Sequence, residues 1–305
     1  MNLESIAYHE GAYKPLSECN VNVATHALQY GTMVFGGVRG YFNEKRDNLY
    51  LFRLNDHFKR LNSSSRIMQM KSPLGIQQMC DVALELARRN KYRENVYFRP
   101  FIYKSALQLS PRLHDVEDNF AMYTIPLNDY LDTSRGMRAA VSSWRRIDEN
   151  IIPTRSKASG GYINSALAKS EAVQNGFDEA IFLDMRGLVS EGSAENIFLV
   201  RDGVLITPHL AASVLEGITR RSIIQIARDQ GIPVQERDVA RAELYIADEV
   251  FFCGTGAQLA WVAEIDRREI GDGTIGPITL QLRNLFMQTV AGENDTYRDW
   301  LTPVY

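Results

Sequence analysis

An α+β protein of two domains is what this sequence predicts, on three observations. The chain has 305 residues, 45% hydrophobic and 23% charged, enough to bury a sizeable core and long enough for two domains. Strand-like and helix-like stretches alternate along it without an internal repeat or a low-complexity tract. The stretch 125–136 is polar, carries a proline and a glycine, and follows an apolar run. The expected division is therefore a first domain over 1–125, an interdomain loop over 126–136 and a second domain over 137–305.

Each element follows from local pattern. Residues 49–53 form a strand, and Asn55 is placed to cap a helix that turns Phe58, Leu61 and Met68 inward. A second helix runs from about Leu74 to Arg89, its apolar stripe made by Ile76, Met79, Cys80, Ala83 and Ala87. Val96 to Lys104 is a strand interrupted by Pro100, which implies an edge position or a bulge. Phe120 to Ile125 is another. In the second half, a strand at 137–144 gives way to an irregular segment at 145–161, then a helix over 162–175 stopped by Gly176. A strand at 179–184 turns at Gly187, and Asp202-Gly203 joins strands 196–201 and 204–207 as a hairpin. A helix over 219–230 ends at Gly231, and strand 249–253 runs into Gly254-Thr255-Gly256.

Charge and cysteine usage exclude several classes. A formal net charge of -3 and a pI near 6.0 give no global attraction to nucleic acid or anionic membrane, so the expected partners are small molecules and further copies of the chain. The pairs Arg145-Arg146, Arg220-Arg221 and Arg267-Arg268 fit solvated faces. Cys19, Cys80 and Cys253 are odd in number and lack metal spacing, which argues against a disulfide framework and against a metal site. No apolar run reaches the roughly 18 residues of a membrane span, and Met1 to Glu10 lacks a basic segment followed by an apolar one, so the expected compartment is the cytoplasm.

The chemistry gathers in the irregular segments. Lys157 is flanked by Ser156, Ala158, Ser159, Gly160 and Gly161, small enough to let a planar ligand approach the backbone. A lysine that forms a Schiff base needs a lowered pKa, which burial and a cationic neighbour such as Arg155 would supply. Glu191 and Glu195 each offer the carboxylate that a pyridine electron sink requires beside its ring nitrogen. Leu215-Glu216-Gly217-Ile218-Thr219-Arg220 leads into a helix, where free N–H groups, the Thr219 hydroxyl and the positive dipole end make an anion cup; Thr219 is also an ordinary N-cap. Gly254-Thr255-Gly256 adds further donors. Neither loop is a Walker sequence or a GxGxxG fingerprint. An amine, a ring-nitrogen acid and a phosphate cup are the parts of a pyridoxal 5′-phosphate enzyme.

Lys157 through Asn196 and Leu215 through Arg220 resemble the signature blocks of class IV aminotransferases, most closely those of the branched-chain amino acid aminotransferases. The likeness extends over nearly the whole chain, through His26-Ala27-Leu28-Gln29-Tyr30-Gly31, Phe52-Arg53-Leu54-Asn55-Asp56-His57, Tyr97-Phe98-Arg99-Pro100 and Gly276-Pro277. It implies fold type IV, with a smaller N-terminal α/β domain and a larger C-terminal pseudo-barrel domain, and a homodimer or higher homo-oligomer. It implies Lys157 as the Schiff-base lysine and proton carrier, and Glu191 as the partner of the pyridine nitrogen. Tyr162 would bond the cofactor's phenolic oxygen, Arg60 with Gly217, Ile218, Thr219 and Thr255 would hold the phosphate, and Leu215 would pack on the ring.

The same resemblance implies the substrate side. Tyr30, Phe35, Gly37, Tyr97, Arg99, Leu109 and Tyr130 would line an apolar slot for a leucine, isoleucine or valine side chain. Thr255, Gly256 and Ala257 would receive the α-carboxylate. Arg99 with Tyr30 and Tyr130 would accept the distal carboxylate of glutamate, and Tyr30 with the 107–114 loop would close the neighbouring subunit's site. The implied reaction is ping-pong transamination with 2-oxoglutarate. Gly36, Leu127 and Gly256 depart from the family's usual residues, and the Pro111-Arg112-Leu113-His114 pattern is similar to D-amino acid aminotransferases, so D-amino acid or (R)-amine transamination is the alternative. An aminodeoxychorismate-lyase-like elimination and a non-catalytic cofactor carrier are the readings of other classes.

Overall fold

The computed structural model describes residues 2–127 and 135–305. The chain divides into two compact units, Met1–Asn128 with Ser156–Gly160 and Gln288–Tyr305, and Asp129–Arg155 with Gly161–Met287. The second domain expected over 137–305 is thus not one block of sequence. Ser156–Gly160 belongs to the first unit because Ala158 bridges Val34, and the C-terminus belongs there because Leu301, Thr302 and Pro303 pair with Phe52, Leu51 and Tyr50.

In chain order the first run contains β1 (Ile6–His9), β2 (Ala12–Pro15), α1 (His26–Tyr30), β3 (Met33–Phe35), β4 (Val38–Asn43), β5 (Asn48–Phe52), α2 (Leu54–Ile67), α3 (Ile76–Arg89), β6 (Val96–Lys104) and β7 (Asp118–Pro126). There follow β8 (Met137–Arg145), α4 (Tyr162–Gln174), β9 (Glu179–Leu183), β10 (Val189–Gly192), β11 (Asn196–Arg201), β12 (Val204–Thr207), α5 (Ile218–Asp229), β13 (Val234–Glu236), β14 (Glu249–Gly254), β15 (Gln258–Ile265), β16 (Arg268–Glu269), α6 (Pro277–Val290) and β17 (Leu301–Pro303).

The first unit is an antiparallel sheet in the order β17-β5-β4-β6-β7-β1-β2, with β3 also on β6. Helices α2 and α3 pack on each other and on this sheet, burying Phe58, Leu61, Met79, Ala83 and Leu86. Two expectations change here. Asn55 is not the cap of α2: Arg53, left-handed at φ 47°, occupies that place. It is held by Asp56 at 2.9 Å and lies over the Trp300 ring at 4.2 Å. Met68 follows the helix half-buried, while Met70 is buried. Pro100 marks neither an edge nor a bulge in its own strand. β6 is interior, and the irregularity lies in its neighbour, where β4 pairs with Val96 to Phe98 and β3 with Phe101 to Tyr103. The missing N–H of Pro100 faces that step, and its carbonyl accepts from Gly36 N–H at 2.8 Å.

The second unit carries a mixed, curled half-barrel sheet in the order β10-β9-β8-β15-β14-β11-β12-β13, with β16 on β15. Its core gathers Ile181, Val189, Ile197, Leu199, Phe252 and Val262. The Asp202-Gly203 hairpin forms as expected, both residues left-handed at φ 50° and 75°. α5 starts one position before the expected helix, and its N-cap is Gly217, not Thr219. The reason is steric: a Cβ on Gly217 would come within 2.0 Å of Asn196 Oδ1. No helix among the described residues is long and apolar enough to cross a membrane.

Candidate active site

In the first unit, the segment that carries Lys157 is fixed by its backbone. The Lys157 N–H donates to Ser64 Oγ at 3.2 Å, and its carbonyl accepts from Phe35 N–H at 3.0 Å. Ser159 Oγ and Gly160 N–H both donate to the Gly31 carbonyl, at 2.8 and 3.2 Å. Gly31 is left-handed at φ 64°, and a Cβ there would lie 2.9 Å from Gly160 Cα. The small residue Gly160 therefore serves a close approach of backbone to backbone. Arg60 is half-buried on α2, one turn before Ser64.

Three predicted residues meet at one ring. Lys157 Nζ lies 5.2 Å from the Phe35 centroid and Arg99 Cζ 4.9 Å from it, and Arg99 also lies 5.2 Å from the Tyr97 ring. Arg99 Nε is buried without a hydrogen-bond partner among the described residues. Tyr97 occupies the space a side chain at position 37 would need: a Cβ on Gly37 would be 2.0 Å from its hydroxyl and 2.7 Å from Cζ. Gly37→Ala should therefore displace the Tyr97 ring at a cost of about 1–3 kcal/mol. Thermal melting would register that cost, together with a fall in kcat/KM for the apolar substrate; an unchanged melting temperature would refute the contact.

Tyr30 is exposed at the end of α1, its ring 4.8 Å from that of His26. Buried His26 ties this end of the unit together, with Nδ1 2.7 Å from Thr32 Oγ1 and Nε2 2.6 Å from the Ser110 carbonyl. Thr25 bridges Leu107, and Leu109 beyond it is 84% exposed. Arg112 and His114 are exposed. Tyr130 lies outside the described residues.

In the second unit the site grows around Glu191, which the sequence places in irregular chain but which lies buried on β10. Three donors converge on its carboxylate. Arg146 Nη2 reaches Oε1 at 2.8 Å, while Asn196 Nδ2 and the Leu215 N–H reach Oε2 at 2.9 and 3.1 Å. Glu195, the other acid left open by the sequence, is surrounded differently. Burial, then the neighbouring Glu179, push its pKa up to about 8, so it holds a proton at neutral pH. Glu191 is the acid held in an ion pair, with Arg146.

From Leu215 the chain passes through Gly217 into α5, whose first intrahelical bond runs from Arg221 N–H to the Gly217 carbonyl at 3.0 Å. The N–H groups of Ile218, Thr219 and Arg220 are left for another acceptor. Thr255, Gly256 and Ala257 form the turn between β14 and β15, closed by the Gly254 and Gln258 pair. Tyr162 opens α4, half-buried. Arg155 pairs with Glu216 at 3.1 Å. Arg99 is a second cation near the Phe35 ring that Lys157 approaches.

Sequence reasoning misses Ser64, His26, Arg146 and Asn196 as supports of the site. It assigns Arg146 and Arg220 to solvated pairs, yet both are buried, Arg146 against Glu191 and Arg220 on the Pro208 carbonyl and Glu236 at 3.0 Å each. The signal available for Arg146 is its place two residues past the expected strand 137–144; its ion pair with Glu191 joins residues 45 positions apart.

Comparison with known proteins bears on both units. The model of the family described as amino-transferase class IV matches residues 35–265. A probable branched-chain-amino-acid aminotransferase of Aquifex aeolicus is 45% identical, covering 98% of this chain and 96% of that relative. The solved branched-chain aminotransferase of Thermoproteus uzoniensis with norvaline superposes with a TM-score of 0.95 at 42% identity, over 98% of this chain and 99% of that one. The T.th. branched-chain amino acid aminotransferase complexed with N-(5′-phosphopyridoxyl)-L-glutamate gives 0.93 at 40% identity, over 99% of each chain. With an amine-bearing lysine held by its backbone, a buried acid under three donors and an open helix N-terminus already in place, the match settles the family: this chain belongs to the class IV aminotransferases.

Proposed function

We propose that the chain is a pyridoxal 5′-phosphate-dependent branched-chain aminotransferase, moving the amino group of L-leucine, L-isoleucine or L-valine to 2-oxoglutarate to give branched 2-oxo acids and L-glutamate. The names of its relatives support the reaction, and the phosphopyridoxyl-glutamate in one of them supports both cofactor and acceptor. The residues present fit the cofactor. Glu191 is a buried acid on a rigid strand, α5 presents unbonded N–H groups to an anion, and Leu215 to Gly217 connect the two. Pyridoxal phosphate, when bound, supplies the electron sink that makes the substrate's α-proton removable.

The chain's own residues do the rest. Lys157 Nζ would hold the cofactor and move the α-proton, and Glu191 would keep a proton on the ring nitrogen. Tyr162 would bond the phenolic oxygen, Arg60, Gly217, Ile218, Thr219 and Thr255 would take the phosphate, and Leu215 would pack on the ring. Thr255, Gly256 and Ala257 take the substrate α-carboxylate. The observation that carries the substrate reading is the Phe35 ring, with the Lys157 amine and the Arg99 guanidinium both near it. An apolar side chain finds Phe35 and Tyr97, and a distal carboxylate finds the unbonded Arg99 Nε.

Arg99→Ala should accordingly weaken 2-oxoglutarate far more than leucine. A lost charge-assisted contact is worth about 1.5–3 kcal/mol, or roughly ten- to a hundredfold in kcat/KM. The check is kcat/KM for L-leucine, D-alanine, an (R)-amine and 2-oxoglutarate in wild type, Arg99→Ala and Arg112→Ala. Indifference to Arg99→Ala with uniform loss in Arg112→Ala and preference for D-alanine would replace this reading with the D-amino acid one. The chain is also proposed to act in the cytoplasm as a homodimer; the exposed Leu28, Leu107 and Leu109 are the apolar residues that a partner copy would cover.

A further inference from the structure

Glu195 has no part in the chemistry just described, yet it is buried at the turn between β10 and β11. Three consecutive N–H groups of that turn are taken by Glu195 and a second buried acid, Glu179 of β9. Gly192 N–H donates to the Glu195 carbonyl at 2.7 Å, Ser193 N–H to Glu179 Oε1 at 3.3 Å, and Ala194 N–H to Glu195 Oε2 at 3.1 Å. The two acids thus accept from consecutive N–H groups of one turn, and burial with Glu179 nearby pushes Glu195 up to about 8, so that it holds a proton at neutral pH. Glu179 accepts from Ala180 N–H at 2.8 Å and from Lys169 Nζ at 2.7 Å. Of the two neighbouring glycines, Gly192 is set tightly against the Glu195 side chain, while Gly254 leaves room for ordinary contact. A Cβ on Gly192 would lie 3.2 Å from Oε2, and one on Gly254 would lie 3.7 Å from Cγ. Those glycines adjoin Glu191 and Thr255.

We propose that Glu195 is a positioning residue: buried with Glu179 on consecutive N–H groups of one turn, it holds the turn on which Glu191 and Asn196 meet. The inference rests on the reading above only in that Glu191 serves the reaction. The titratable groups facing Glu195 are Glu179 from β9, Lys169 from α4 and Cys253 from β14. Burial pushes the Cys253 thiol up, leaving it neutral, so Lys169 is the positive charge acting on the acid pair. Loss of the proton would set two carboxylates against that one ammonium.

The sign of the pH effect follows. Glu195 titrates at about 8 in the fold against an ordinary value of 4.5. Its stabilising contribution is complete below the ordinary value and is lost as pH rises to the folded value. Glu195→Gln keeps a neutral donor of the same shape and removes this loss.

The test uses the holoenzyme. Infrared spectra at pH 7 should contain a protonated-carboxyl band that titrates away at alkaline pH in wild type and is missing in Glu195→Gln. Melting temperature should fall between pH 6 and pH 9 in wild type and stay level in Glu195→Gln. Activity of Glu195→Gln at pH 7 should stay within about threefold of wild type, without the alkaline fall, while Glu195→Ala should lose about tenfold or more at every pH. Persistence of the band in Glu195→Gln, or equal loss of activity in Gln and Ala variants, overturns the proposal. The infrared and melting readouts do not depend on turnover, so failure of the transaminase reading would show separately.

Discussion

Replacing Lys157 by alanine should abolish transamination while leaving the fold intact. Loss of proton transfer alone lowers a rate by about 10² to 10⁴-fold, and loss of the covalent amine adds to that. The fold should survive because the segment is held by main-chain groups, Lys157 N–H on Ser64 Oγ and its carbonyl on Phe35 N–H, which alanine retains. Lys104 is the more deeply buried lysine, but its ammonium is occupied by Asp118, the Gln69 carbonyl and the Val116 carbonyl at 2.9 to 3.4 Å, a structural pairing. Borohydride reduction of the cofactor-loaded protein should therefore fix the label on the peptide containing Lys157. A label on Lys104 or any other lysine, or full turnover by Lys157→Ala, would remove the assignment.

What can be read in the sequence divides along a physical line. Elements with a clean local period are legible: the α3 stripe, the Asp202-Gly203 hairpin, and the strands at 49–53 and 179–184 agree with the structure to within two residues. Features set by partners distant in sequence are not. Pro100 looks like an edge residue because the step between β3 and β4, which spares its N–H, is made by residues some 60 positions earlier. Gly217 reads as part of the anion cup before a helix, while the contact with Asn196 Oδ1 that excludes a side chain there has no local signal. The block from Ser156 to Gly160 reads as part of the second half, and a single bridge to Val34 with two bonds onto Gly31 carries it into the first unit. For the candidate site, residue types in irregular loops single out Lys157, the two acids Glu191 and Glu195, and Thr219 as candidates. The residues that hold them, Ser64, Arg146 and Asn196, carry no chemical signature of their own.

Glu191→Gln should cost both catalysis and stability, and the two losses should be separable. Glutamine keeps the shape but removes the charge that holds a proton on the ring nitrogen, so kcat should fall by about 10²- to 10³-fold with the cofactor still bound. The structure adds a second cost. All three groups on the Glu191 carboxylate are donors, and the amide has only one oxygen, so its own N–H₂ must face either Arg146 or the pair made by Asn196 and Leu215. Breaking a buried ion pair by removing one partner costs about 3–5 kcal/mol, most of it from the charge left behind, here that of Arg146. Arg146→Met introduced together with Glu191→Gln should recover much of the melting temperature, because the stranded cation is gone, yet recover none of kcat. Single-turnover measurements should assign the kinetic loss to proton transfer. Equal recovery of both quantities would mean that Glu191 acts only by supporting the fold, and a larger kinetic loss in Glu195→Gln than in Glu191→Gln would transfer its role to the other acid.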